Sequence, residues 1–325
     1  MQNKNPLISI AMATYNGESF IYKQLESIFN QSYKNFELII SDDNSSDSTL
    51  SIIKLFMDKH KNISLFINKK ENRGYVGNFQ NALNQCNGEL IALSDQDDIW
   101  HSDKLLLLQK EIGENSLIYS DANLTDANDN ILTTSYTRST KKYIYPKNII
   151  DIILNNPITG CTMMFKRDLM EHSIPFPLKV PVHDQWIAIV AITHFKKIKY
   201  IDKQLINYRQ HTNNQLGANY NNKNLFKKIK NVWTKRHSEK FLVQERKSLD
   251  LVNSILLNDN IIRNTSSTEL DDLVKLKKYY INLTNQENFF SILLTRIIMI
   301  NKFTPQRSIL AKLVGLISIF KVLLK

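Results

Sequence analysis

Cysteine is scarce in this 325-residue chain: Cys86 and Cys161 are the only two. Two thiols exclude a disulfide framework and a cysteine-rich zinc site, and they point to a reducing, cytosolic compartment. Glycine (8) and proline (7) are also few, so a collagen-like or linker-like chain is excluded. No uninterrupted apolar run is long enough to span a bilayer. The apolar stretch 7–13 reads as too short and wrongly flanked for a signal peptide. Three signatures are missing as well. No Gly-x-Gly-x-x-Gly follows the first apolar run, no Walker lysine loop occurs, and no Gly-x-Ser-x-Gly elbow occurs. These absences argue against a Rossmann dehydrogenase, a P-loop enzyme and an esterase-like nucleophile.

What is present is an ordinary globular balance, 42% hydrophobic and 22% charged, which excludes a disordered chain. The net charge of +11 is unevenly spread. Residues 1–218 hold 23 Lys and Arg against 23 Asp and Glu, whereas 219–325 hold 19 against 8. That asymmetry divides the chain into a neutral region, 1–218, and a basic one, 219–325.

Short apolar runs alternate with helix-period segments through the first 120 residues. The patterns predict strands at 7–12, 36–40, 63–67 and 90–93, and helices at 19–31, 49–60 and 76–85. Such alternation predicts βαβ units and a mostly parallel sheet flanked by helices, an α/β fold. Further strands are expected at 116–120, 160–165 and 198–208, and a helix at 184–194. From 222 onward the pattern is one of long basic amphipathic helices, the last at 308–324. In parallel sheets ligands lie beyond the carboxyl ends of the strands. Polar clusters fall there: Thr14-Tyr15-Asn16-Gly17, Asp42-Asp43-Asn44-Ser45 and Asp95-Gln96-Asp97-Asp98. All three are expected to converge on one crevice.

Asp95, Asp97 and Asp98 repel each other unless a cation or hydrogen-bond donors offset them. A strand-end loop of this kind suits Mg²⁺ or Mn²⁺ shared with substrate phosphates; the plain alternative is a solvated turn before the next helix. Asp42 and Asp43 can accept from a base N–H or a ribose hydroxyl, or serve as an Asx turn. Asp184 opens an apolar helix, as a general base or as a carboxylate favoured by the helix dipole. His211 can ligate a metal or touch a phosphate, or be a surface histidine. Arg73 can pair with phosphate, or be solvated.

Together these pieces resemble glycosyltransferase family 2, the inverting GT-A nucleotide-sugar enzymes. The resemblance covers residues 7–217 and rests on the order and spacing of 8–17, 38–49, 72–78, 92–100, 160–165, 183–186 and 208–214. Asp-Gln-Asp-Asp-Ile-Trp, with His-Asp-x-Trp and Tyr-Arg-Gln-His, looks most like the rhamnosyltransferase-like subgroup of bacterial surface polysaccharide synthesis (O-antigen or capsule). Two positions depart from the pattern: Asn44 where Gly is commoner, and Gln185 where many relatives carry an aromatic residue.

The resemblance implies roles. Thr14, Tyr15 and Asn16 would border the nucleoside; Asp43, or Asp42, would hydrogen-bond the base, with Arg73 near it. Asp95 would contact the ribose or metal waters, and Asp97 would bind Mn²⁺ or Mg²⁺ bridging the diphosphate, with His211 a further ligand candidate. Asp184 matches the base. The implied donor is a dTDP- or UDP-sugar, and the acceptor a lipid-linked or polysaccharide glycan. The basic tail lies outside the resemblance; its apolar stripe at Ile309, Leu310, Leu313, Ile317, Phe320 and Leu324 either packs on the catalytic domain or a partner subunit, or sits on an anionic membrane surface, and the second reading makes the protein cytoplasmic and peripheral at the inner face of the cell membrane. Nucleic acid is not an expected partner, because no recognised nucleic-acid motif accompanies the charge. The competing readings are a sugar nucleotidyltransferase and a non-catalytic basic binding protein.

Overall fold

The computed structural model describes residues 5–69, 71, 74–140, 144–211 and 235–285. Strands and helices alternate first: β1 (Ile8–Thr14), α1 (Ile21–Phe29), β2 (Phe36–Asp42), α2 (Thr49–Lys59), β3 (Ile63–Ile67), α3 (Tyr75–Leu83) and β4 (Leu90–Ser94). A two-residue strand, β5 (Ile99–Trp100), leads to α4 (Lys104–Ile112), β6 (Leu117–Thr125), β7 (Ile131–Thr133), α5 (Tyr136–Thr140) and α6 (Ile149–Asn155). A 3-10 turn, Gly160–Thr162, opens β8 (Met163–Lys166), followed by α7 (Arg167–Ser173), α8 (His183–Val190) and β9 (Ile198–Arg209). Last come α9 (Lys235–Leu256), α10 (Asp259–Asn264) and α11 (Ser267–Thr284).

The chain divides into two compact units. The first, residues 1–145, 157–176 and 182–219, holds a nine-stranded sheet in the order β3-β2-β1-β4-β8-β6-β9-β5, with β7 on β6. β1 is central and paired in parallel with β2 and β4, Ile10 facing Leu38 on one side and Ala92 on the other. Its near-continuous apolar run follows from that position, since a strand covered on both faces has no polar side. α1 lays Ile21, Leu25 and Ile28 into the core beside Ile8, Ile10 and Met12, all fully buried. Each such side chain contributes about 1.5–3 kcal/mol on burial.

The sheet is parallel from β3 to β4 and mixed beyond. β8 begins at the carboxyl end of β4, immediately after the 3-10 turn, and so runs against both β4 and β6. β9 is one continuous strand, parallel to β6, with two register shifts opposite Ser120, Asp121 and Asn123. Its far end pairs with β5, Ile206 against Trp100 and Asn207 against Ile99. The helix expected at 184–194 is α8, continued by a wide π-type turn, Ala191–Phe195, that closes at Lys196 with φ of 53°.

The second unit comprises residues 146–156, 177–181 and 220–325. α6, α9 and α11 pack together there, burying Leu251, Val252, Ile255, Leu273, Leu276 and Leu283. α11 starts with a reciprocal capping box between Ser266 and Glu269, which satisfies two orphan donors of its first turn. The helix expected at 308–324 lies outside the described residues. Among the described residues, no helix is long and apolar enough to cross a membrane.

Candidate active site

Thr14 and Asp42 stand in register at the ends of β1 and β2, and Ser94 ends β4 beside Met12. The three polar loops beyond them are stitched together. Gln96 accepts from Tyr15 N at 2.8 Å and donates to Tyr15 O at 2.9 Å. Asn16 N donates to Ser45 Oγ at 2.9 Å, and Asn16 Oδ1 accepts from Ser46 N at 2.8 Å. A Cβ at Gly17 would fall 2.3 Å from Gln96 Oε1, so a larger residue there would displace the Gln96 amide from Tyr15. Asn16 and Asn44 have φ of 45° and 64°, left-handed values that Asn tolerates and most residues do not. Asn44 therefore replaces the commoner glycine without changing the turn.

The two carboxylates after β2 have different surroundings. Asp42 is fully buried and accepts from Thr14 Oγ1 (2.7 Å), Ser45 Oγ (2.6 Å) and Ser45 N (2.7 Å). It holds the β1 and β2 loops together. Asp43 is only part-buried, and accepts from Asn68 Nδ2 at 3.1 Å and Gly74 N at 2.7 Å. Arg73 lies outside the described residues. Tyr15 is 54% exposed.

The acidic loop after β4 meets the end of β9, because the β5–β9 pairing delivers Tyr208-Arg209-Gln210-His211 to it. His211 Nε2 lies 2.9 Å from Asp97 Oδ2, with its ring stacked on Phe20 at 4.6 Å. Arg209 is buried; its Nε donates to Asp97 O at 2.7 Å and its backbone N to Asp98 Oδ1 at 3.2 Å. Its guanidinium also pairs with Asp129. Asp98 is fully buried, and burial followed by Asp97 and Asp95 holds its carboxyl well above the usual range. Burial, then Asp97 and Asp184, pushes Asp95 up to about 7. The potential ligand atoms of Asp95, Asp98 and Cys161 all lie within 4.8 Å of one another. Burial and those two carboxylates push the Cys161 thiol well up, so it remains protonated.

Asp184 sits in the first turn of α8 and is 9% exposed. Gly160 N donates to its Oδ2 at 2.9 Å. Burial, then Asp184, raises Tyr75 to about 12. Beside it, His183 is stacked on Phe79 at 4.0 Å, and burial lowers its imidazole to about 3, so the ring is neutral at any working pH.

The structure thus gathers Thr14, Tyr15, Asn16, Asp42 and Asp43 on one pair of loops, brings His211 to Asp97 in the acidic loop that also carries Asp95, and ties Asp184 to Gly160. Three contributors were not singled out from the sequence: Gln96, Gly160 and Arg209. Of these, only Gln96, in a polar cluster at a strand end, offered a hint of its role.

The sequence matches the model of the family described as "Glycosyl transferase family 2" over residues 9–173. The chain belongs to glycosyl transferase family 2. The enzyme is 31% identical, over 70% of its length and 82% of the relative's, to the dTDP-rhamnosyl transferase RfbG of Shigella flexneri. It is also 31% identical, over 59% of its length and 73% of the relative's, to the Escherichia coli UDP-Glc:alpha-D-GlcNAc-diphosphoundecaprenol beta-1,3-glucosyltransferase WfgD. In fold it is similar to the mannosyltransferase PcManGT of Pyrobaculum calidifontis, solved with GDP-Man and Mn²⁺, with a TM-score of 0.55 and 15% identity over 99% of this chain and 87% of that one. The fold is GT-A-like: a mixed sheet, parallel in its first half, flanked by helices. A glycosyltransferase is neither a nucleotidyltransferase nor a non-catalytic binding protein, so both competing readings fall.

Two sets of groups in this glycosyltransferase could hold a divalent ion. Asp97 with His211 offers one hard oxygen and one imidazole nitrogen, which fits Mn²⁺ or Mg²⁺ completed by diphosphate oxygens and water. Asp95, Asp98 and Cys161 are closer packed but include a protonated thiol, a poor ligand for a hard cation.

Proposed function

We propose that this glycosyltransferase inverts the anomeric centre as it moves a sugar, rhamnose or another hexose or deoxyhexose, from a dTDP- or UDP-sugar to a hydroxyl of a lipid-linked or polysaccharide acceptor in bacterial surface glycan synthesis. The observation that carries this reading is that Gly160, whose N–H holds Asp184 at 2.9 Å, directly precedes Cys161, whose thiol lies within 4.8 Å of the Asp95 and Asp98 carboxylates. The base candidate and the acidic loop therefore share one site. Asp184 takes the proton of the attacking hydroxyl, with one of its oxygens oriented by Gly160 N–H. One base and in-line attack opposite the leaving group give inversion. Asp97 and His211 would hold Mn²⁺ or Mg²⁺, with Asp95 at the ribose or the metal's waters. The ion supplies positive charge that offsets the leaving nucleoside diphosphate.

Tyr15, with Thr14 and Asn16, offers the nucleoside its border, and Asp43 is the better carboxylate for the base because Asp42 is spent on the loops; Arg73 is kept as its neighbour. Residues 1–218 form the catalytic domain in this reading. Residues 219–325 are a basic helical tail that docks the enzyme on the anionic inner face of the cell membrane, near a lipid-linked acceptor. The names of the two relatives support the donor and acceptor classes.

Nucleoside diphosphate release from dTDP-rhamnose and from UDP-glucose, with Mn²⁺ present, tests the donor. Asp184→Asn should keep donor affinity by calorimetry and lower turnover at least ~10²-fold, the lower end for loss of a general base. Turnover within a few fold of wild type would assign the base to another residue.

A further inference from the structure

Leu93, Met163, Tyr119 and Tyr200 form a row across β4, β8, β6 and β9. Tyr119 stands opposite Met163 on one side and Tyr200 on the other, and the pairing of Ala92 with Met164 sets Leu93 level with Met163. Residues level with one another in paired strands point to the same face of the sheet. The Leu93 end of the row lies at the base: a Cβ on Gly160 would fall 3.7 Å from Leu93 Cδ1 and 3.6 Å from Asp184 Cβ. Tyr200 stands three strand spacings away on that face, about 14 Å.

At its far end the row surfaces as an aromatic shelf. Tyr119 is buried, and its hydroxyl donates to the Ile144 carbonyl, which fixes the backbone just before Tyr145. The Tyr145 ring, 58% exposed, stands edge-on to Tyr200 at 6.0 Å and 89°, and Tyr200 packs in turn on Tyr119 at 5.2 Å. Polar groups rim the shelf. The Tyr200 hydroxyl donates to Asp202 Oδ1 at 3.4 Å, and Arg138 pairs with Asp202 at 2.9 Å, with side chains 75% and 56% exposed.

A single exposed aromatic needs no explanation. Here the ring is held on a buried partner, beside a carboxylate and a guanidinium whose charges cancel. Cancelled charge gives an ionic ligand no advantage. A neutral pyranose meets all three groups: its C–H bonds lie on the negative face of the ring, while its hydroxyls donate to the carboxylate and accept from the guanidinium.

We propose that the Tyr145–Tyr200 shelf is a subsite for a neutral sugar residue of the acceptor glycan, further along that glycan than the residue whose hydroxyl Asp184 deprotonates. The subsite rests on the acceptor class proposed above and narrows it to a glycan long enough to span the row. Tyr145 acts there on acceptor affinity, not on the chemical step.

The test is the affinity of the full-length protein, without donor, for neutral trisaccharides (chitotriose, isomaltotriose and a rhamnose trisaccharide), followed by saturation-transfer NMR and calorimetry beside a charged control, trigalacturonate. Wild type should bind at least one neutral probe. Y145A should weaken that binding about tenfold, the loss of one good contact, and Y145W, which keeps a ring, should bind like wild type. D202A should weaken it too, and carries the same comparison if Y145A fails to fold. Equal affinity in wild type, Y145A and D202A overturns the proposal. So does a wild type that binds no neutral probe, or that binds trigalacturonate as well. Self-association of wild type lost in Y145A, with no sugar bound, overturns it in favour of a second copy on the shelf. Donor hydrolysis by wild type is read separately. Hydrolysis without trisaccharide binding removes the subsite and leaves the transferase reading standing, whereas trisaccharide binding that depends on Tyr145, without turnover of dTDP-rhamnose or UDP-glucose, upholds the subsite and removes the donor reading.

Discussion

His183 makes the catalytic unit acid-labile by a calculable amount. The imidazole is 6% exposed, surrounded by the rings of Phe79, Tyr75 and Phe176, with Asp184 next in sequence. Burial lowers its pKa from 6.5 to about 3. The unfolded chain therefore binds one more proton than the folded chain between those values. A depressed pKa of this kind contributes stability that is present above pH 6.5 and lost as the pH falls towards 3. Over the full window the loss is ~5 kcal/mol, at ~1.4 kcal/mol per pH unit. From pH 7 to pH 4.5 it is about 2–3 kcal/mol, a large share of the 5–15 kcal/mol typical of a domain.

The perturbation is His183→Phe, which keeps an aromatic ring on Phe79 and removes the titration. Its larger ring adds a packing cost of ~1–3 kcal/mol, the same at every pH. Asp95, raised to about 7, acts in the opposite sense, favouring the folded state as the pH falls, but equally in both proteins. Urea unfolding followed by tryptophan fluorescence at pH 7, 5.5 and 4.5 isolates the difference, since Trp100 and Trp186 are both buried in this unit. Wild type should lose about 2–3 kcal/mol more than H183F across that range. Parallel losses in the two proteins would refute the reasoning.

Three further outcomes are expected. Asp97→Ala should nearly abolish donor turnover while leaving the circular dichroism spectrum unchanged, and excess EDTA should do the same to wild type; full turnover in EDTA would remove the metal from the site. Gly17→Ala forces its Cβ onto the Gln96 amide and should cost about 1 kcal/mol in thermal unfolding through the loss of the Gln96–Tyr15 hydrogen bonds, with no further loss in the G17A/Q96A double variant relative to Q96A; an additive double variant would show that Gln96 is not the obstacle. Removing residues 304–325 should release the protein from anionic vesicles in co-sedimentation, most clearly at low salt, and leave donor hydrolysis intact; unchanged vesicle binding would assign the tail's apolar stripe to packing.

The elements that were legible in the sequence are those whose cause is local. The run at 63–67 is a strand because its own residues are β-branched and aromatic between polar turns, and β3 has those bounds. The same holds for α1, whose apolar residues recur at helical spacing and all face one core. β5 was not legible, because two residues carry no period. Yet that pairing, Trp100 with Ile206 and Ile99 with Asn207, is what brings His211 to Asp97. The sense of β8 was not legible either. Direction in a sheet depends on where the preceding chain enters, and Gly160–Thr162 enters from the site end.

The site divides along the same line. The acidic tetrapeptide announced itself as a cluster needing compensation, but nothing in it says which carboxylate receives which partner. Asp97 obtains His211 from 114 residues away, and Asp98 obtains Arg209 N from 111. Lys104 lies only a few residues from the cluster, yet reaches it by turning inward to a carbonyl 57 residues distant. Read locally, it is a lysine at a helix start, where the dipole disfavours it. That local conflict was the available signal. A residue that breaks the rule of its own helix while staying buried is held there by something outside the helix, here the Cys161 carbonyl at 2.7 Å and the Trp100 ring at 3.4 Å.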